Sequence, residues 1–294
     1  MAVACDYLDE VCRDAFRLAE MDFAADMPDG DVTAEVLALA GRTATARLFC
    51  REDVSMAGAA WHHQIVAAFR ARRPGARVDV TCHHADGTRL PAQSTLFEWR
   101  GDVADLVALE RPFLNFLGRA VGIANATHRY VAEARKYTQH TQILDTRKTL
   151  PGYRYLDKYA VLCGGGRNHR LNLSDGVLIK ENHIAKLQGV RQALAFVRQN
   201  LRKDVPIQIE VTSMQQLREA LEEQCPLIMV DNFTPEMVAE ACALDRGDSQ
   251  IEVSGGITLE TLGAYCRHSP DRISIGAITH SIKAPDLSLL ISED

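Results

Sequence analysis

The chain has no C-x-x-C pair: its eight cysteines are scattered, with no Cys/His spacing suited to structural zinc. Scattered single thiols suit a reducing compartment, where a buried cysteine acts as a small apolar side chain. No apolar run is long enough to span a bilayer. The opening M-A-V-A-C-D-Y-L-D-E-V-C carries acids where a secretory leader would carry a basic start and an apolar stretch. Basic residues are outnumbered, 33 Lys and Arg against 39 Asp and Glu, which argues against a general nucleic-acid or membrane-surface binder. No G-x-G-x-x-G follows a strand, and no Lys-Thr or Lys-Ser closes a glycine-rich loop, so neither a Rossmann dinucleotide site nor a P-loop is expected. Nor does any Ser-His-Asp or Cys-His signature demand a covalent nucleophile. What is left is a cytoplasmic globular protein whose 294 residues, 47% hydrophobic, suffice for one large domain or two modest ones.

The two halves are patterned differently. Up to about residue 100, short β-rich stretches recur at Thr45 to Phe49, Val54 to Ala57, Arg77 to Cys82 and Ser94 to Trp99, with P-G and D-G turns among them and a helical segment from Trp61. This predicts an α+β unit with an antiparallel sheet. From Asp102 to about Arg135 the apolar spacing is helical, and Gly118 and Gly122 mark either a break or a close crossing. Beyond it six apolar runs recur: Gln142 to Leu144, Val177 to Ile179, Ile207 to Val211, Leu227 to Val230, Ile251 to Val253 and Ile273 to Ile275. Helical patterns from Ala185 to Leu201, Ser213 to Glu223, Pro235 to Ala243 and Leu259 to Cys266 lie between most of them. Strands alternating with helices predict a parallel sheet, as an α/β barrel of about six strands or, alternatively, an open doubly wound sheet.

The strand ends carry the chemistry. The six runs lead into Asp145-Thr146-Arg147-Lys148, Lys180-Glu181-Asn182-His183, Glu210, Asp231-Asn232, Ser254-Gly255-Gly256 and Gly276. In a parallel barrel all these ends open on one face, where active sites of such barrels are built. Between Asp145 and His183 the cations Arg147, Lys148, Arg154, Lys158, Arg167, Arg170 and Lys180 outnumber the acids, in a chain whose net charge is -6. Such a cluster suits a ligand bearing several carboxylates or phosphates, since Arg binds these oxygens as a bidentate fork. For Arg154, Lys158 and Arg167 a solvated surface charge is the competing explanation. The glycine-bearing turns after the last two strands let backbone N–H groups approach phosphate oxygens, although ordinary tight turns look the same. Glu210 and Asp231, ending successive strands, can hold Mg²⁺ through water or face positive charge on a sugar ring, or simply pair with nearby cations.

Residues 145–184, D-T-R-K-T-L-P-G-Y-R-Y-L-D-K-Y-A-V-L-C-G-G-G-R-N-H-R-L-N-L-S-D-G-V-L-I-K-E-N-H-I, resemble the signature of the quinolinate phosphoribosyltransferase family, a type II phosphoribosyltransferase family. The motifs I-E-V at Ile209, M-V-D-N-F at Met229, E-V-S-G-G-I at Glu252 and I-S-I-G-A-I-T-H at Ile273 extend the likeness, with G-D-V-T near Gly30 and E-R-P-F-L-N-F-L near Glu110. The resemblance implies an N-terminal α/β sandwich over 1–115, joined by a C-terminal strand within 281–294, and a barrel over 116–280. It implies a decarboxylating pentosyltransferase of NAD biosynthesis, acting on quinolinate and phosphoribosyl pyrophosphate with Mg²⁺. It also implies a homodimer with shared active sites, with a hexamer left open as the larger assembly.

By position, the resemblance places Arg147, His169, Arg170 and Lys180 on the quinolinate carboxylates, with Thr146 alongside and Arg111 entering from the partner subunit. It gives Lys148, Glu210 and Asp231 to the phosphoribosyl pyrophosphate and its Mg²⁺. The loops Ser254, Gly255, Gly256 and Ile275, Gly276, Ala277 then hold the 5′-phosphate. Gln208 departs from the family pattern, where a second acid is common, and so does Asn172, where a glycine is common. Two other readings stand beside this one: a phosphoribosyltransferase for a ring acid with one carboxylate, such as nicotinate, and a non-catalytic phosphosugar-binding barrel. His62, His63, His83 and His84 receive no role.

Overall fold

Between Leu8 and Asp26, Val11, Ala15, Ala19 and Phe23 recur every fourth position, and the chain forms helix α1 with that stripe buried. The computed structural model describes residues 3–293; the first two residues of the expected N-terminal unit and Asp294 of the expected C-terminal strand lie outside it. The chain forms two interleaved compact units and does not divide at one boundary near residue 115. The first unit runs through residue 128 and takes in 149–165 and the chain from 279 onward; the second holds 129–148 and 166–278.

In the first unit, α1 is followed by α2 (Val32–Val36), β1 (Thr43–Cys50), β2 (Val54–Ser55), α3 (His62–Arg72), β3 (Val78–Cys82), β4 (Arg89–Leu90), β5 (Thr95–Asp102) and α4 (Val103–Ala134), whose last turns belong to the second unit. Two later segments complete it, α5 (Arg154–Cys163) and β12 (Leu287–Glu293). In β1, Ala44, Ala46, Leu48 and Cys50 are buried, the period-two pattern of a sheet with one covered face. The four-stranded sheet runs β12-β1-β5-β3 with antiparallel pairing throughout. Over it Phe97 and Trp99 meet Phe113 edge-on, at centroid distances of 5.2 and 4.9 Å. Each such pair adds roughly 0.5–1.5 kcal/mol beyond the burial itself.

Helix α4 continues through Pro112 without a break at Gly118 or Gly122. Gly122 is there for a close approach: a Cβ would come within 2.8 Å of the Lys283 carbonyl. Helix α5, within the basic segment, is fixed by Asp157, which accepts from Arg119 Nε and Nη2 at 2.7 and 2.6 Å. Burial raises the Asp157 carboxyl while the Arg119 hydrogen bonds oppose it. Lys158 of the same helix is fully buried rather than a solvated charge.

The second unit is α/β. Its strands β6 (Gln142–Leu144), β7 (Val177–Ile179), β8 (Ile207–Val211), β9 (Leu227–Asp231), β10 (Gln250–Ser254) and β11 (Arg272–Ser274) lie in the order β6-β11-β10-β9-β8-β7, all paired in parallel. Helices α6 (Glu181–Lys186), α7 (Val190–Asn200), α8 (Met214–Glu222), α9 (Pro235–Ala243) and α10 (Leu259–Cys266) connect them, and α11 (Ala277–His280) follows β11. The single helix expected over 185–201 is two, because Gln188 and Gly189 take φ of 64° and 143°. The free edge of β6 is taken by an extended stretch: Arg167 N donates to Ile143 O at 2.8 Å, and Asp145 N donates to Arg167 O at 3.2 Å. That stretch delivers Asn168 and His169 beside the strand ends. Two features therefore prepare the site: parallel strands whose carboxyl ends face one way, and a loop sewn to the edge of β6.

Candidate active site

Alternation along the strands sorts the unit's side chains. Ile209, Ile228, Val230, Ile251, Val253 and Ile273 are buried with the apolar core. The residues between them, Gln208, Glu210, Met229, Asp231, Glu252, Ser254, Arg272 and Ser274, point to the other face. At the carboxyl ends this second set opens into a cavity of about 530 Å³, a volume ordinary for a small-molecule site. Its walls are Thr146, Arg147 and Lys148 after β6, His169 and Arg170 from the stretch beside it, and Leu178 and Lys180 of the β7 end. Glu210, Met229, Asp231, Ser254 and Ser274 complete them.

Cations predominate there, and two lack full compensation. Arg147 Nε is buried with no hydrogen-bond partner. Burial, together with the neighbouring Arg147 charge, pushes the Arg170 guanidinium below its usual range, although Asp175 works against this. One Arg170 nitrogen, Nη1, donates to Gly176 O at 2.8 Å, which sets its direction. Two neighbouring guanidiniums with donors to spare form a site that an anion relieves. Lys180 stands differently: its Nζ lies 3.1 Å from Glu210 Oε2. Thr146 Oγ1 accepts the Lys148 N–H at 3.1 Å and holds the turn after β6.

The opposite rim is built on backbone. Asn232 adopts φ 57°, its N–H donates to Ser254 O at 2.9 Å, and its side-chain amide donates to Asp231 Oδ2 at 2.8 Å. Gly255 packs against it so closely, at φ 105°, that a Cβ would lie 2.2 Å from Asn232 Oδ1. Glu210 and Asp231 thus end adjacent strands on one wall. Among the described residues there is no group of three or more His, Cys, Asp or Glu able to hold a metal by themselves. Two carboxylates and an open cavity do fit Mg²⁺, which keeps its waters and takes the rest of its shell from a phosphorylated ligand.

Of the residues expected from sequence, Thr146, Arg147, Lys148, His169, Arg170, Lys180, Glu210, Asp231 and Ser254 come together in this cavity. Gly255, Gly256, Gly276 and Ala277 continue from its walls without lining it. Ile275 is a correction: its N–H donates to Leu144 O at 2.9 Å and its side chain is buried, so neither is available to a phosphate. Arg111 is exposed on α4 in the first unit and is not among the lining residues. Arg154 and Lys158, part of the same basic segment, lie on α5 in that unit too. Sequence reading missed Ser274, buried with its hydroxyl unpartnered, and the buried acids Asp145 and Glu252. Period two from Glu210 and Ser254 would have found Gln208 and Glu252; nothing local marked Asp145 as more than a strand cap.

Comparison with known proteins gives consistent matches along the chain. The models for the quinolinate phosphoribosyl transferase N-terminal and C-terminal domains match residues 31–121 and 123–290. The probable nicotinate-nucleotide pyrophosphorylase [carboxylating] of Methanocaldococcus jannaschii is 36% identical over 282 residues, covering 94% of this chain and 96% of its own length. Its namesake in Bacillus subtilis is 36% identical over 267 residues, covering 91% and 90%. The solved nicotinate-nucleotide pyrophosphorylase of Francisella tularensis superposes with a TM-score of 0.89 at 34% identity, over 98% of this chain and all of that one.

Proposed function

Because the chain belongs to the quinolinate phosphoribosyltransferase family, we propose that it converts quinolinate and phosphoribosyl pyrophosphate to nicotinate mononucleotide, pyrophosphate and carbon dioxide. The observation that carries this reading within the structure is the Arg147–Arg170 pair, two adjacent guanidiniums with an unpartnered buried Nε, on the wall facing Glu210 and Asp231. A substrate with adjacent carboxylates relieves both cations; a monocarboxylate leaves one uncompensated.

The residues divide the work as follows. Arg147 and Arg170 bind the two carboxylates, and Thr146 and His169 flank them. With the ring so held, its nitrogen points at the ribose C1 and attacks as the C1–pyrophosphate bond breaks. Lys148 neutralises the departing pyrophosphate. Glu210 and Asp231 face the positive charge that grows on the sugar. Lys180, paired with Glu210 in the cavity wall, serves the 2-carboxylate. Ser254, Gly255, Gly256, Gly276 and Ala277 hold the 5′-phosphate through backbone N–H groups. Glu210 and Asp231 are the residues that would hold Mg²⁺, which would supply further charge neutralisation to the pyrophosphate. After transfer the ring nitrogen is quaternary. The bond from C2 to its carboxylate then breaks, its electron pair stays on C2, carbon dioxide leaves, and C2 takes a proton from solvent.

The same reading includes a homodimer in which Arg111 of one subunit completes the site of the other. It also includes a cytoplasmic location, in keeping with eight free cysteines. No helix among the described residues is long and apolar enough to cross a membrane. The acids Glu210 and Asp231 favour catalysis over a phosphosugar sensor, which gains nothing from carboxylates beside phosphate. The test is incubation with phosphoribosyl pyrophosphate, Mg²⁺ and either quinolinate or nicotinate, following mononucleotide and pyrophosphate. Product from quinolinate alone is expected. Product from nicotinate overturns the substrate, and ligand binding without pyrophosphate overturns the enzyme.

A further inference from the structure

We propose that Glu252 is a positioning residue of the dicarboxylate subsite, holding His169 from below as a neutral Nε2–H imidazole. The proposal rests on the reading of that subsite given above. Glu252 is fully buried on β10, two residues before Ser254 and on the same side of the strand. Its Oε2 accepts from Gln208 Nε2 at 3.0 Å and lies 3.1 Å from Arg272 Nε, while Oε1 faces His169 Nε2 at 3.5 Å. Gln208 belongs to β8 and Glu252 to β10, strands with β9 between them in the parallel sheet, and the hydrogen bond between the two side chains puts both on the same face of it. Arg272 is the register partner of Glu252 on β11. Directly above this layer lie the cavity walls.

His169 is fixed from two sides. Its backbone N–H donates to Asp145 Oδ1 at 2.8 Å, and Asn168 Nδ2 donates to the other oxygen at 2.7 Å. Its ring Nδ1 accepts the Arg170 N–H at 2.8 Å. A nitrogen that accepts holds no proton, so the ring proton sits on Nε2, the atom turned toward Glu252. An imidazolium would need a second proton on Nδ1, against the Arg170 N–H. His169 therefore serves the subsite as an oriented neutral ring that also fixes the Arg170 backbone, and the grip on carboxylates falls to the guanidiniums. Gln208 makes this possible: an amide donates to Glu252, whereas a second acid there would compete with it for a proton.

The test exchanges the two side chains, Gln208→Glu with Glu252→Gln. One carboxylate and one amide remain in the layer beside Arg272, so the fold is retained. Glu252→Gln alone strands Arg272 and is the weaker variant for that reason. The exchange removes the carboxylate from under His169 only. Calorimetric affinity for quinolinate is expected to fall roughly ten- to a hundred-fold, the scale of a small misplacement of a binding group, while the KM for phosphoribosyl pyrophosphate and the melting midpoint stay near the parent's. Equal losses for both substrates, or parent-like quinolinate affinity, overturn the proposal. The ring is read separately by ¹⁵N histidine correlation spectra of the free protein, with His169 assigned by its loss in His169→Asn. A neutral Nε2–H signal is expected, and a doubly protonated or Nδ1–H ring overturns the proposal. Failure of the parent itself to bind quinolinate removes the functional reading instead, and the nitrogen spectrum still decides the state of His169.

Discussion

Lys180 Nζ lies 3.1 Å from Glu210 Oε2, joining the ends of the neighbouring strands β7 and β8 across the mouth of the cavity. Half of the lysine side chain is exposed, and a pair of that kind contributes at most about 1 kcal/mol to stability. Its importance is therefore chemical: it fixes a carboxylate at the cavity mouth, where the proposed mechanism places the charge that develops on the sugar. Glu210→Gln should lower kcat about a hundred-fold while moving the melting midpoint by only roughly 3 °C. Steady-state kinetics beside a thermal melt decide the point, and unchanged turnover would take Glu210 out of the mechanism.

Arg170 combines an oriented guanidinium with repulsion from Arg147. A charge-assisted hydrogen bond to a carboxylate is worth roughly 1.5–3 kcal/mol. Arg170→Ala should accordingly raise the KM for quinolinate by about ten- to a hundred-fold and leave that for phosphoribosyl pyrophosphate nearly alone. Arg170→Lys should recover little, since a point charge cannot replace the planar fork. Parallel rises in both KM values would show that the residue supports the loop and not the ligand.

Arg111 is exposed on α4 in the first unit, and the residues lining the candidate cavity lie in the second. With a shared site, Arg111→Ala and Lys180→Ala should each be nearly inactive alone. Once subunit exchange is confirmed by native mass spectrometry, a mixture should regain up to about a quarter of the parent activity, from mixed dimers holding one intact site. Exchange without recovery would contradict the shared site.

The cysteines test the core. Cys225 and Cys266 are fully buried, and burial pushes both thiols up to about 11. The thiolate is the reactive form, so iodoacetamide at mildly alkaline pH should spare these two until the protein unfolds. Cys5, Cys12, Cys82 and Cys242, each partly exposed, should label first. Rapid native labelling of Cys225 or Cys266, read by peptide mass spectrometry, would contradict the packing of the second unit.

Much of the site is legible in the sequence because strand ends are marked by abrupt changes of chemistry. Ile-Leu gives way to Asp145-Thr146-Arg147-Lys148, and Leu-Ile to Lys180, so the cavity walls can be named without the fold. Helix α1 is not marked, because half of its buried stripe is alanine, set in a charged background. Helix α5 is hidden by its polar residues, of which two are buried against distant partners: Arg119 answers Asp157, and Asp86 accepts the Tyr159 hydroxyl at 2.8 Å. Ile275 looks like part of a phosphate loop because register, which takes its N–H for Leu144, is not written in one strand. Glu252 stands in the sequence as one letter of a motif; its role emerges when Gln208, Arg272 and His169 converge on it from other segments.

The most direct measurement of the central claim uses quinolinate isotopically labelled in its 2-carboxylate, with phosphoribosyl pyrophosphate and Mg²⁺. The account predicts label released as carbon dioxide in step with pyrophosphate, and nicotinate mononucleotide that carries none. Label retained in the nucleotide, or pyrophosphate released without labelled carbon dioxide, would contradict it.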